Sequence, residues 1–249
     1  MSIKVEFDTN KFFLKRLNLP TRYYYFNDVE NYIKLLSIGE GIFPKDKLKT
    51  IIKLKDSSCI FTTESATKVY PSTKEFGINN IQISMQNSNC EFINDELILF
   101  KNSKLIQLLK VKLDEKSTLF YGDILSQGRS FEHFDFSHMC TRNKFYINGE
   151  LEYFENFEVS GDEIKNYLQR HQTNNSIFAK IYMKTNKNDS LLKTLNKEDF
   201  NSFTYSKSKQ IVIGVLCENN MSKLKQKVKK VWDLYRNSLD RKEFNLGKL

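Results

Sequence analysis

Glycine (9 residues) and proline (3) are scarce in this 249-residue chain. That argues against a disordered, linker-like or collagen-like molecule. The four cysteines, Cys59, Cys90, Cys140 and Cys217, stand far apart without a C-x-x-C pair, so neither zinc-finger spacing nor a small disulfide scaffold fits. Four mostly buried thiols in a reducing cytoplasm are the simplest expectation. No apolar run follows a basic start, and none approaches the roughly eighteen residues of a membrane helix. An unsecreted chain that does not span a membrane is therefore expected. Catalytic signatures are missing as well: there is no G-x-S-x-G, no H-E-x-x-H, no P-loop and no Cys/His cluster.

What the chain does have is aromatic bulk and positive charge. Twenty Phe and twelve Tyr supply large buried areas, although only 40% of residues are hydrophobic. The formal charge of +9 suggests an acidic partner surface or nucleic acid without choosing between them.

Strand-like segments dominate. After a strand-like or irregular lead-in that stops at Asn18-Leu19-Pro20 come Tyr23–Phe26 and Tyr32–Ile38. From Leu48 to Phe157 the sequence repeats itself. Asp56-Ser57-Ser58-Cys59-Ile60-Phe61 aligns with Asn87-Ser88-Asn89-Cys90-Glu91-Phe92 and with Glu115-Lys116-Ser117-Thr118-Leu119-Phe120, each after an alternating strand. A weaker copy with an Asn-Gly turn covers 145–151. Strand, polar turn, strand at about thirty residues predicts an all-β body of stacked layers, solenoid-like or helical, each burying its apolar face on the next. A plain meander sandwich is the alternative. Phe61, Phe92 and Phe120 would form an internal aromatic column. The same alignment sets Glu64, Asp95 and Asp123 at equivalent steps, either as an exposed acidic face or as a hydrated internal path that attracts a divalent cation. On one strand His133 and His138 would face opposite sides, which weakens a shared metal site.

Beyond residue 160 the pattern becomes mixed. Gly161-Asp162-Glu163 opens a short helix to Arg170, with acidic residues at its start. Strand candidates at 177–183 and 210–216 flank a polar connector. Ser222 is expected to cap a helix to about Leu239 with Leu224, Val228, Val231, Trp232 and Tyr235 on its apolar face. Two helices in all are predicted. Lysines crowd the rest of the second one, as a solvated surface or a nucleic-acid groove.

One stretch stands apart. In Phe61-Thr62-Thr63-Glu64-Ser65-Ala66-Thr67-Lys68-Val69-Tyr70-Pro71-Ser72 a strand breaks into a polar kink and ends at proline. A kink in a buried-looking strand must give its polar groups partners. The stretch resembles the "TTQAATKVYRS" signature of the urease accessory protein UreD (UreH) family, with Glu64 where the family usually has Gln. Gly39-Glu40-Gly41-Ile42-Phe43-Pro44-Lys45-Asp46 resembles the family's "GG-x-x-GGD" turn, although Pro44-Lys45 replaces the second glycine pair. Asp123, Gly128 and Arg129 fit a third segment, an acidic residue followed by "x-x-GR". Arg129 offers a planar fork suited to a carboxylate, and a structural pair with Asp123 is the simpler account of it.

The resemblance implies one domain over residues 1–249, with a repetitive β body at about 20–158 and a mixed portion at about 160–249. It implies a non-enzymatic chaperone-like scaffold of the cytoplasm. This scaffold binds UreF, and through it the GTPase UreG, docks on urease apoprotein in a dimeric accessory complex, and assists nickel insertion. Neither nucleic acid nor membrane is implied as a partner. No cofactor is held tightly; transient Ni²⁺ would pass acidic positions at Asp46, Glu64, Asp123 and Glu155. Thr62, Thr63, Lys68, Tyr70, Gly128 and Arg129 would serve as structural motif residues. On the residues alone, a β-solenoid enzyme acting on acidic polysaccharide through Asp95, Asp123 and Arg129, and a basic single-stranded nucleic-acid module, remain alternatives.

Overall fold

The repeated polar blocks are corners. The structure, a computed structural model, describes residues 2–37, 41–198, 200 and 202–247. Ile38, Gly39 and Glu40, the end of one expected strand and the start of the glycine turn, lie outside the described residues. The chain begins with β1 (Ser2–Asp8), β2 (Lys11–Asn18), β3 (Thr21–Phe26) and β4 (Tyr32–Ser37). The repeats then supply β5 (Lys47–Lys55), β6 (Ser58–Thr63), a short β7 (Thr67–Val69), β8 (Gly77–Gln86), β9 (Asn89–Leu99), β10 (Lys104–Leu113), β11 (Thr118–Ser126) and β12 (His138–Ile147), which folds back as β13 (Glu150–Val159). After them come α1 (Gly161–Arg170), β14 (Ile177–Lys184), α2 (Asn188–Lys197), β15 (Phe203–Tyr205), β16 (Val212–Glu218) and α3 (Met221–Ser238).

From β5 to β12 the chain passes back and forth between two sheets. One has the order β13-β12-β10-β8-β5-β1-β2 and the other β15-β16-β14-β11-β9-β6-β4-β3. Neighbours β5, β8, β10 and β12 are parallel, as are β6, β9 and β11. The chain therefore winds in stacked coils, and the body is the solenoid-like, mainly β structure expected from the repeat. The lead-in is more regular than expected, because β1 pairs in parallel with β5 and extends the same sheet.

Each corner is built from the repeated polar residues. Asp56 and Asn87 take φ of 47° and 45°, a conformation Asp and Asn tolerate best among residues with a Cβ. The next residue is a buried serine. Ser57 N–H donates to Ser88 Oγ (3.2 Å) and Ser88 N–H to Ser117 Oγ (3.1 Å), so hydroxyls satisfy backbone groups from coil to coil.

This ladder corrects the repeat register by one residue. Ser117, not Lys116, is the equivalent of Ser57 and Ser88, and strand pairing sets Phe61 beside Phe92 and Phe92 beside Tyr121. The aromatic column therefore runs Phe61, Phe92, Tyr121, Tyr182, with ring centroids 5.8, 5.6 and 6.3 Å apart. Phe120 points to the opposite face and packs on Tyr235 of α3 at 5.4 Å. A shift of one residue on a strand exchanges its two faces, which is why the misalignment moved the ring.

Three helices are present among the described residues, not two. α1 starts with a capping box, Ser160 with Glu163. α2 lies in the polar connector, where no helix is predicted; Leu191 and Leu195 are buried, and Asn188 Oδ1 accepts from the Thr185 N–H at 2.8 Å. α3 is capped by Asn220, whose Oδ1 accepts from the Lys223 N–H at 3.1 Å, and not by Ser222. Its apolar face is buried as the spacing predicts, and it covers the outer side of β11, β14 and β16.

Candidate functional site

The kink after β6 finds its explanation in a cavity. Thr63, Ser65, Ala66 and Lys68 line a space of about 250 Å³ together with Thr50 and Asn79 from the facing sheet. The other polar atoms of the stretch hold the frame. Buried Thr62 Oγ1 donates to the Ile93 carbonyl at 2.7 Å, and Thr63 Oγ1 accepts from the Asp95 N–H at 2.8 Å. The Lys68 carbonyl accepts from the Ile42 N–H at 2.8 Å, and a Cβ on Gly41 would sit 2.3 Å from that carbonyl oxygen. Glycine is thus required there by close approach as well as by its φ of 149°. Tyr70 stacks on Phe43 at 4.3 Å. The two motif stretches therefore pack on each other.

Beyond them the facing interiors of both sheets carry a polar row. Asn79, Gln107 and Thr141 are in register across β8, β10 and β12. Opposite them, Asn94, Asp123 and Lys180 stand on β9, β11 and β14, where a bulge sets Asn94 and Asp95 against the single residue Asp123. Asp123 lies at the centre. It accepts from Asn94 Nδ2 (2.6 Å), Gln107 Nε2 (2.8 Å) and Tyr121 OH (3.0 Å). Burial pushes its pKa up to about 6, against the pull of those donors and of the Lys180 charge. Asp123 also lines a second cavity, of about 570 Å³, together with Gln107, Thr141, Asn143 and Lys180. Asn94 lines the first cavity while its amide binds Asp123 of the second. One hydrogen bond thus joins the walls of the two spaces.

Glu155, on β13, completes the polar group. It pairs with Lys180 at 2.6 Å and accepts from the hydroxyls of Tyr153 and Tyr182, each at 3.1 Å. Burial raises both phenols, Tyr153 to about 12, so they remain donors. The structure brings Asp123 and Glu155 to one region and leaves the other two acidic candidates outside it. Glu64 is 42% exposed in its side chain and pairs with Lys34 at 3.3 Å. Asp46 closes its own turn by accepting from the Phe43 N–H at 3.0 Å. Asp95 pairs with Lys225 of α3 at 3.4 Å, so the three supposedly equivalent carboxylates do not stack.

The third motif segment also differs from expectation. Gly128 adopts φ of 125°, where a Cβ would meet Glu132 at 2.9 Å. The Arg129 guanidinium lies 4.7 Å over the Phe100 ring and does not pair with Asp123. Asp95, Asp123 and Arg129 therefore do not converge on one site, against the polysaccharide alternative. His138 Nε2 lies 2.6 Å from Glu158 while His133 sits exposed in the loop before β12, so the two do not share a strand. Among the described residues, no group of three or more His, Cys, Asp or Glu could hold a metal ion, and no helix is long and apolar enough to cross a membrane.

The family described as "UreD urease accessory protein" matches residues 21–246. The chain belongs to the UreD family. A urease accessory protein UreD of Aliarcobacter butzleri is 57% identical over 249 residues, all of both chains. The UreD of Staphylococcus epidermidis is 28% identical over 158 residues, 62% of this chain and 57% of its own, and that of a bovine Staphylococcus aureus strain 27% over 169, 63% and 60%.

Two of the three segments that resemble the UreD signatures thus wall the first cavity and anchor its turn, and Asp123 of the third lines the second cavity. Gln107, Asn94, Thr141, Asn143 and Lys180 were missed by motif reading. A signal for some of them exists: Gln107 and Asn143 occupy inward positions between Leu105 and Leu109 and before Phe145, where alternation calls for apolar residues.

Proposed function

We propose that this UreD-family protein is a non-enzymatic scaffold of urease maturation in the cytoplasm. In this reading it binds UreF, recruits the GTPase UreG through it, docks on urease apoprotein in a dimeric accessory complex, and lets nickel cross its interior on the way to the urease active site. The observation that carries the transit part is the polar group around Asp123 that joins the walls of two cavities reaching between the sheets. Its chemistry suits passage better than storage. Carboxylate, amide and hydroxyl oxygens are hard ligands that hold Ni²⁺ loosely, where His and Cys would retain it. The full chain should accordingly bind nickel weakly, with little preference over other divalent ions.

Substitution of Asp123 tests the reading. Asp123→Asn should keep the fold and UreF binding while slowing urease activation, and Asp123→Leu should be worse. If Asp123 serves only to gather Asn94, Gln107 and Tyr121, melting temperature and UreF affinity should fall together with activation. Full activation by Asp123→Leu would remove this residue from the transit path.

A further inference from the structure

We propose that Lys180 is the built-in counter-ion of a hydrated divalent-cation site at Asp123 and Glu155, and that an entering ion must displace its ammonium. The proposal rests on reading the cavity beside Asp123 as part of a route for the ion. Lys180 stands on β14 directly across from Asp123 on β11, and its Nζ is 2.6 Å from Glu155 on the facing sheet. The ammonium thus pairs directly with Glu155 and acts on Asp123 by its charge at longer range.

The surroundings hold more oxygen than the protein uses. Asn143 is 2% exposed and spends its amide N–H on Tyr182 OH (2.8 Å), which leaves Oδ1 without a protein partner. Thr141, 7% exposed, has an equally unpartnered Oγ1. Both line the same cavity as Asp123 and Lys180. Buried polar atoms rarely lack partners, and two beside a space of about 570 Å³ fit the water shell of a hard cation.

Charge decides what that cation is. Asp123 and Glu155 together carry −2 when ionised, and Lys180 leaves −1. With the ammonium swung away, a divalent ion neutralises the pair, whereas a monovalent ion only equals the lysine. The swing is open to this side chain. It is 33% exposed, rests over the Phe157 ring at 5.6 Å, and has a flexible four-carbon stem. Return of the ammonium then expels the ion, so binding is weak by construction.

Calorimetric titration of the full chain with Ni²⁺, and with Mn²⁺ as an oxygen-preferring probe, tests this at a dilution where the protein stays monodisperse. Lys180→Met should bind both ions at least about tenfold more tightly than the native chain, the scale of a removed unit charge a few ångströms away. Lys180→Arg should stay close to native. Adding Glu155→Gln to Lys180→Met should erase the gain. Lys180→Gln is the second removal should Lys180→Met not fold. Native-like melting with unchanged affinity in either removal variant overturns the proposal, as does a gain that survives Glu155→Gln. Loss of fold in both would make Lys180 a structural ion-pair partner and end it too. Urease activation is read separately: activation indifferent to Asp123 would retire transit while tighter binding by Lys180→Met still stood.

Discussion

Lys45 carries strain that its turn does not need. Pro44 and Lys45 occupy the centre of a turn closed by the Asp46 N–H donating to the Phe43 carbonyl at 3.1 Å, and Lys45 has φ of 71°. Proline at the first central position and positive φ at the second describe a type II turn, in which the second place favours glycine. Lys45→Gly should therefore stabilise the protein by about 0.5–1 kcal/mol, the left-handed penalty less glycine's extra unfolded entropy. A melting temperature that fails to rise would show the strain to be relaxed elsewhere. Asp123 makes a second prediction at this scale. Its folded pKa of about 6 lies above that of an unfolded aspartate, so between about pH 4 and 6 the native state keeps a proton that the unfolded chain has lost. Its contribution to stability is greatest at the acid end and falls as pH rises through that window. Urea denaturation should show Asp123→Asn gaining on the native chain from about pH 4 to 6.5 and no further above it. A constant difference over that range would mean an ordinary carboxylate.

Among elements, α3 is clamped by buried charge. Arg236 and Glu91 are both fully buried and meet at 2.7 Å. Glu91 also accepts from Trp232 Nε1 (2.6 Å) and Asn89 Nδ2 (2.9 Å), and Arg236 reaches Glu30 as well. The pair fixes the helix on β9 by geometry, because apolar contacts alone would permit sliding. Arg236→Met should cost about 3–5 kcal/mol by leaving buried Glu91 only the more distant Arg241, at 3.7 Å, as a charge partner, while Arg236→Met with Glu91→Leu should cost less. Equal losses would place the cost in packing and not in the unpaired charge. The aromatic column is the counterpart inside the coils. Phe92 is 1% exposed between Phe61 and Tyr121, so Phe92→Ala should cost about 3–5 kcal/mol. An unchanged melting temperature would put Phe92 outside the core.

For the whole molecule, apolar surface gathers at both edges of the seven-stranded sheet. Phe13, Leu14 and Leu17 are exposed on β2, and Leu151, Phe154 and Phe157 on β13. Unpaired strand edges with apolar side chains invite association. The isolated chain is therefore expected to self-associate and to become monodisperse with UreF. Light scattering across a UreF titration checks this, and a well-behaved monomer indifferent to UreF would count against the scaffold reading.

The sequence by itself determined the coil. Asp56-Ser57 and Asn87-Ser88 recur at the first two corners because a two-residue turn there takes a left-handed residue followed by a hydroxyl, and that chemistry is local. It also determined the apolar face of α3, since helical spacing follows from the backbone alone. Motif likeness led to the right family through Thr62, Thr63, Lys68 and Tyr70. It could not say that Thr63 and Lys68 wall a cavity, because that depends on Thr50 and Asn79 of the facing sheet. Register lay beyond the sequence for a similar reason. Two extra residues in the corner between β10 and β11, capped by Lys184 Nζ on the Glu115 and Ser117 carbonyls (2.6 and 2.8 Å), moved Tyr121 into the column and Phe120 out. The four acidic candidates looked alike as letters. Only the tertiary structure separated them, since a carboxylate's role is set by what surrounds it: solvent and Lys34 for Glu64, its own turn for Asp46, and the space between two sheets for Asp123 and Glu155.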